Sequence, residues 1–380
     1  MIKGIRIVLS LTVCFMLIGA LGSAPRAQTA PGIPVNYTEN RSANGETVGL
    51  KNMDTAAATR PGYTREQMKS AKSLDLVSLK ASDLSSISVD FSSGTPIMKS
   101  GKMPDQAKQA EMKAAHPEAW AAIEDRQSLD QPTGLTPSLS STYGTKNTFT
   151  GYLGNYFSPM GYNYYPYSTV GQLFFTDGVS VYACTATLIA EYTIVTAGHC
   201  VYNTDSNYWY YNWEFIPGYY DGYDPLGYYT DYTPWILTAW MNSKTSSKGM
   251  RYDVAVIILY GDPGYYAGWA SWSANMGTKQ EIHAIGYPQN KTGGWYTWIC
   301  AAEDFGKGTD VEGMGCDMTY GSSGGPWFLW FLPYQFSYPY VAYGNYVNGV
   351  VSGGVVGIPT FYGPRFSSKN IIPLCFVGGC

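Results

Sequence analysis

VYACTATLIAEYTIVTAGHC, residues 181–200, contains two runs, 181–189 and 193–197, dominated by small, β-branched and apolar side chains. Runs of this length and composition read as buried strands. The second leads straight into Thr196-Ala197-Gly198-His199-Cys200, and Cys184 lies 16 residues before Cys200. A bridge between these two cysteines would anchor the loop that presents His199.

Similar runs recur outward from this stretch, at 170–175, 235–240, 254–259, 281–285, 295–300, 327–332 and 347–352. Most are bounded by Gly, Pro, Asn or Asp, and helical periodicity is almost absent. This predicts an all-β domain of about 230 residues, a barrel or a sandwich. The Tyr-rich tract 208–232 reads as a long surface loop or β-ribbon.

The N-terminal part differs. Lys3 and Arg6 precede an apolar run, 7–21, followed by Gly22, Ser23 and Ala24, the layout of a secretory signal peptide over 1–27. Residues 28–140 read as a pro-region and linker: Lys-, Ala-, Ser- and Gln-rich, with a helix expected near 105–116 and a Ser/Thr/Pro/Gly-rich linker at 128–141. Residues 1–140 hold 15 Lys and Arg against 13 Asp and Glu, and residues 141–380 hold 9 against 15, so the two parts carry +2 and −6. Of the 34 tyrosines only Tyr37 and Tyr63 lie in the first part. The net charge of −4 argues against nucleic acid as a partner. No apolar run of spanning length follows the leader, so no membrane association is expected after its removal.

Cys14 leaves with the leader, and six cysteines remain, at 184, 200, 300, 316, 375 and 380. An even number in a secreted chain implies disulfides, but six cysteines allow 15 pairings. Without a Cys-x-x-Cys or a histidine cluster, no metal and no cofactor is expected.

Two further segments complete a chemical set. Asp253 sits just before the apolar run 254–259, where a carboxylate can be buried and still accept hydrogen bonds. Gly321-Ser322-Ser323-Gly324-Gly325-Pro326 surrounds a serine with glycines. A serine hydroxyl is a weak nucleophile until an imidazole takes its proton, and the imidazole needs a carboxylate to fix its tautomer. Glycines keep side chains clear and let the amides of Gly321 and Ser323 converge on an oxyanion. Gly321-x-Ser323-x-Gly325 also satisfies the nucleophile elbow of α/β-hydrolases. Those enzymes place the histidine after the serine, whereas His116, His199 and His283 all precede Ser323, so that reading fails. His283 lies in an alternating strand pattern and is expected to be structural, and His116 is expected to be solvated.

With the Thr-Ala-Gly-His-Cys and Gly-x-Ser-Gly-Gly-Pro segments in this order, the chain resembles the chymotrypsin-like serine peptidases over roughly 170–366. The resemblance implies a double six-stranded antiparallel β-barrel over 141–380, preceded by the signal peptide and a partly helical pro-region. It implies a secreted serine endopeptidase, extracellular or periplasmic, that is made as a pre-pro-protein and hydrolyses protein or peptide substrates as a monomer. By the same likeness His199 is the general base, Asp253 its orienting carboxylate, Ser323 the nucleophile, and Gly321 with Ser323 the oxyanion hole. Ser352, Gly353 and Gly354 resemble the segment that holds the substrate backbone. Asp317, six residues before Ser323, stands where a carboxylate at the base of the primary pocket would select Arg or Lys.

Several positions depart from the family pattern. Ser322 replaces the aspartate that pairs with a new N-terminus in animal digestive members, so activation by N-terminal insertion is not expected. This and Gly286-Tyr287-Pro288 bring the chain closer to the bacterial, glutamyl-endopeptidase-like branch. Val351 stands where that branch uses a histidine, which counts against glutamate preference. Thr319 replaces a family cysteine, and Cys316 is expected to pair with Cys300; Cys375 and Cys380 pair with each other or link to another molecule. The C-terminal amphipathic helix of the family is expected to be absent, because 367–380 contains Pro373 and glycines. Two other readings compete: a catalytically idle barrel whose Tyr-rich loops bind carbohydrate or protein, and an esterase on the same scaffold.

Overall fold

The computed structural model describes residues 39–41, 47–53, 62–79, 94–129, 138–143, 147–153, 163–243, 249–306, 310–333, 344–355 and 357–380. The proposed signal peptide and most of the expected linker lie outside them.

Six antiparallel strands close into a barrel: Tyr229–Leu237, Tyr211–Pro217, Val170–Thr176, Val181–Ala190, Thr193–Thr196 and Ala255–Leu259, the last pairing back onto the first. Alternation within each strand divides the side chains between two apolar environments, as the two-residue strand period requires. Leu173, Phe175, Cys184, Ala186, Ile194, Phe215 and Ile257 belong to one cluster. Phe174, Ala183, Val195, Ile216, Trp235 and Val256 belong to another, shared with Trp272, Ile285, Tyr287 and Phe328 of the second half. With both faces covered, the strand Ala255–Leu259 is buried throughout, which explains its unbroken apolar sequence.

The second half is built from two sheets. One orders Ile97–Lys99, Ser271–Ala274, Tyr346–Val350, Pro326–Leu329, Glu281–Gly286, Trp298–Glu303, Asn147–Leu153 and Ser138–Tyr143. The other orders Phe305–Gly306, Val311–Gly315, Ile358–Pro364, Gly353–Val355 and Val77–Leu79. The disulfide Cys300–Cys316 ties them together, and a single bridge pairs Gly349 with Arg365. Among the described residues this half is therefore a pair of joined sheets rather than a second closed six-stranded ladder.

Four other expectations are corrected. The tract 208–232 is not a surface ribbon: Tyr211–Pro217 and Tyr229–Leu237 are barrel strands, and Trp213, Phe215 and Tyr219 are fully buried. The position 140 falls inside the strand Ser138–Tyr143, so the chain joins the sheet before that point. His116 is not simply solvated, since its Nδ1 lies 3.4 Å from Asp224 Oδ1. A C-terminal helix is present, Ile371–Gly378. Pro373 sits in its first turn, where no intrahelical N–H bond is lost, and Gly379 takes the left-handed cap at φ 73°.

Several of the described segments before residue 140 pair with the later chain. Thr47–Asn52 extends the barrel sheet, Lys72–Ser73 runs parallel to Val181–Ala190, and Val77–Leu79 runs parallel to Gly353–Val355. The helix expected near 105–116 forms as Gln106–Ala115, with Asp105 capping the amides of Ala107 and Lys108. Trp120, on the next helix, Pro117–Leu129, donates to the Pro225 carbonyl at 2.8 Å. No helix among the described residues is long and apolar enough to cross a membrane.

Candidate active site

His199 lies on the 3-10 turn Gly198–Cys200 that ends the strand Thr193–Thr196. The Cys184–Cys200 disulfide and a bond from Trp213 Nε1 to the Cys200 carbonyl, 3.1 Å, pin this turn to the barrel. Gly198 is required by a close approach: a Cβ there would stand 2.9 Å from the Trp240 ring and 3.0 Å from Asp253 Oδ1.

Asp253 follows the 3-10 turn Met250–Tyr252 and is fully buried. Its carboxylate receives three donors. The His199 backbone N–H donates to Oδ1 at 2.7 Å, His199 Nδ1 lies 2.8 Å from Oδ2, and the Ser352 hydroxyl donates to Oδ2. Facing an acceptor-only carboxylate, Nδ1 carries the proton, which leaves a lone pair on Nε2. These three donors supply the hydrogen bonds that a buried carboxylate needs.

Ser323 is held by backbone on both sides. Its carbonyl accepts from the Thr185 amide at 2.8 Å, the Gly321 carbonyl accepts from the Thr185 hydroxyl at 2.8 Å, and the Gly324 amide donates to the Val351 carbonyl. Gly321 and Gly324 have φ of 88° and 80°, a region that excludes most side chains. A Cβ on Gly324 would fall 2.1 Å from Thr196 Oγ1 and 2.8 Å from the Ala197 nitrogen. The serine turn thus packs against the strand that leads to His199. Ser323 Oγ and His199 Nε2 are both buried and neither has a hydrogen-bond partner in this structure. Asp253 orients the imidazole through Nδ1 and leaves Nε2 unpaired. Ser322, the neighbour of Ser323, packs its side chain over Gly286.

Ser352 bonds to Asp253 and its carbonyl accepts from the Val77 amide at 3.0 Å. Gly354, Asp317, Met318 and Phe361 line a cavity of about 410 Å³. Asp317 is not a free anion at its base: Lys291 Nζ sits 2.5 Å from Oδ2. Cys375 pairs with Cys380 and Cys300 with Cys316. His283 stacks on Phe331 at 4.8 Å, and burial holds its imidazole below the usual range.

Two features were missed in the sequence. Lys291 lies 26 residues before Asp317 and nothing local links them. The segment Lys72–Leu79 crosses the cleft itself, with the Leu74 carbonyl accepting from the Gly321 amide at 3.2 Å. Its only signal is a leucine- and valine-rich island in a polar tract.

A family model described as Trypsin matches residues 160–367. An extracellular metalloprotease of Bacillus subtilis strain 168 is 33% identical over 137 residues, spanning 34% of this chain and 42% of that protein. The chain thus matches less than half the length of that relative. Cys184, His199 and Cys200 gather their donor atoms within 4.8 Å of one another. They do not suit a metal ion, because the two sulfurs are bonded to each other and His199 Nδ1 faces Asp253. Among solved structures, the protease Anisep from Arthrobacter nicotinovorans is 26% identical, with a TM-score of 0.47, covering 56% of this chain and 96% of that one. A Glu endopeptidase is 24% identical, with a TM-score of 0.48, covering 57% of this chain and 93% of that one.

Proposed function

Since the chain belongs to the trypsin family, we propose that it is a secreted serine endopeptidase, made as a pre-pro-protein, that hydrolyses protein or peptide substrates through Ser323, His199 and Asp253. The observation that carries this reading is the 2.8 Å pairing of His199 Nδ1 with a fully buried Asp253, on a turn packed against the Ser323 loop.

In the proposed reaction the free lone pair of His199 Nε2 takes the Ser323 proton as Oγ attacks the scissile carbonyl. Asp253 stabilises the imidazolium that results. The amides of Gly321 and Ser323 receive the developing oxyanion. The imidazolium then protonates the leaving amine, and water, activated by the same imidazole, releases the acyl group from Ser323.

For the pocket, the Lys291–Asp317 contact favours an apolar side chain over Arg or Lys. A cation entering there would meet an already paired carboxylate, whereas Met318 and Phe361 offer apolar walls. A fluorophosphonate probe tests the reaction class. Labelling of Ser323 in native protein, lost in Ser323→Ala and after unfolding, is expected; labelling elsewhere or none would favour the idle barrel. Peptide against ester kinetics then separate an endopeptidase from an esterase.

A further inference from the structure

We propose that Lys72–Leu79 is a built-in inhibitor, laid through the substrate groove in the direction opposite to a substrate and therefore not cut by the site it covers. This rests on the reading of Ser323, His199 and Asp253 given above.

The segment takes up backbone groups on both sides of the reacting centre. The Leu74 amide donates to the Ala183 carbonyl at 3.0 Å, the Leu74 carbonyl accepts from the Gly321 amide, and the Val77 amide donates to the Ser352 carbonyl. Val77, Ser78 and Leu79 then pair with Gly353, Gly354 and Val355. Leu74 packs against the cluster that holds Cys184 and Cys200, while Leu76 lines the cavity together with Asp317, Met318 and Gly354. One of the two proposed oxyanion donors, the pocket and the backbone-binding strand are all engaged by one stretch of the same chain.

Direction follows from where the ends lie. In acyl transfer to serine, the residue that supplies the attacked carbonyl fills the specificity pocket. A substrate chain therefore runs from the Gly354 side, past Ser323, toward Ala183. Lys72–Leu79 starts beside Ala183 and ends beside Val355. The carbonyl presented to Gly321 belongs to Leu74, yet the leucine that lines the pocket is Leu76. Attack at Leu74 would make Asp75 the leaving amine, and the chain beyond Asp75 heads for Ser352 and Gly353, on the acyl side of the groove. The leaving nitrogen is thus carried away from the side on which the amine of a substrate departs.

The preceding residues clamp the segment. Thr64 and Gln67 form a capping box on the helix Arg65–Ser70. Arg65 lies 3.9 Å over the Tyr223 ring, Lys69 pairs with Asp221 at 2.8 Å, and the Tyr63 amide donates to Glu214. A tethered strand needs little intrinsic affinity, because its effective concentration is set by the short connection.

The test uses the intact chain and the rate at which a fluorophosphonate labels Ser323. Leu76→Asp places a charge in the pocket and Val77→Pro removes the donor to Ser352; each is expected to raise the rate at least tenfold over wild type. Leu76→Ala, a milder change, covers the case in which either variant misfolds. The synthetic peptide Ala71–Leu79, added to the Leu76→Asp chain, is expected to slow labelling again and to remain intact by mass spectrometry. Equal labelling of wild type and all three folded variants would overturn the inhibitor while leaving the peptidase reading in place, as would cleavage of the peptide. No labelling of Ser323 in any folded form would overturn both.

Discussion

Replacing Asp253 by Asn changes few atoms and reverses one proton. The His199 backbone N–H, 2.7 Å from Oδ1, needs an acceptor, so the carboxamide oxygen must stay there and the NH2 must replace Oδ2. Rotating the amide instead would oppose two buried donors, at a cost of about 1–3 kcal/mol. With NH2 facing His199 Nδ1, the imidazole must accept at Nδ1 and carry its proton on Nε2. That nitrogen can no longer take the Ser323 proton, and the Ser352 hydroxyl must turn to accept. The expected loss in kcat is about 10⁴-fold, the scale known for this substitution in a serine triad, or roughly 5 kcal/mol of barrier at 1.36 kcal/mol per decade. The assay is steady-state hydrolysis of a peptide substrate, with thermal melting to show that the variant folds. A folded Asp253→Asn protein that keeps more than a tenth of wild-type kcat would refute the tautomer argument.

Three other outcomes are expected. Lys291→Ala frees Asp317 within the pocket and should raise kcat/KM for Arg and Lys peptides about tenfold, some 1.4 kcal/mol, relative to leucine peptides; an unchanged panel would remove Asp317 from specificity. The hydrogen bond that His116 donates to Asp224 raises the His116 pKa above its ordinary value despite burial. The stabilisation is complete below about pH 6.5 and fades as pH rises through the raised value, so the protection factors of the Gln106–Ala115 amides, which divide out the base-catalysed intrinsic rate, should be lower at pH 8.5 than at pH 6, a difference that disappears in Asp224→Asn. Burial pushes Asp304 up to about 6, so holding its charge at neutral pH costs folding stability. Asn keeps the acceptor for the Gln280 amide, and Asp304→Asn should add up to about 3 kcal/mol at pH 8, a gain that shrinks to nothing by about pH 4 as the wild-type acid protonates; a gain independent of pH would contradict the burial argument.

The fold and the proposed chemical centre were readable where short segments decide them. The unbroken apolar run at 254–259 marks a strand covered on both faces, and the glycines around Ser323 mark backbone that side chains would obstruct. Legibility failed where burial depends on partners distant in sequence. Tyrosine, glycine and aspartate between 208 and 232 resemble a surface ribbon because each is polar at one end. Yet Tyr219 packs edge-on against Phe174 and Tyr287, and Trp213 supports the His199 turn. Pro373 and two glycines argued against a helix by their presence, but their positions in the first turn and at the cap make them compatible with one. The Lys291–Asp317 pair and the Lys72–Leu79 strand were invisible for one reason: each joins segments whose proximity only the folded sheets create.

The central claim is that three side chains act as one unit, and a double-mutant cycle measures that directly. Ser323→Ala and His199→Ala are each expected to lower kcat/KM by about 10⁴ to 10⁶. The account predicts that the double variant is no slower than the slower single, because either loss already disables the nucleophile. Losses that multiply in the double variant would show two independent contributions and contradict a shared proton transfer.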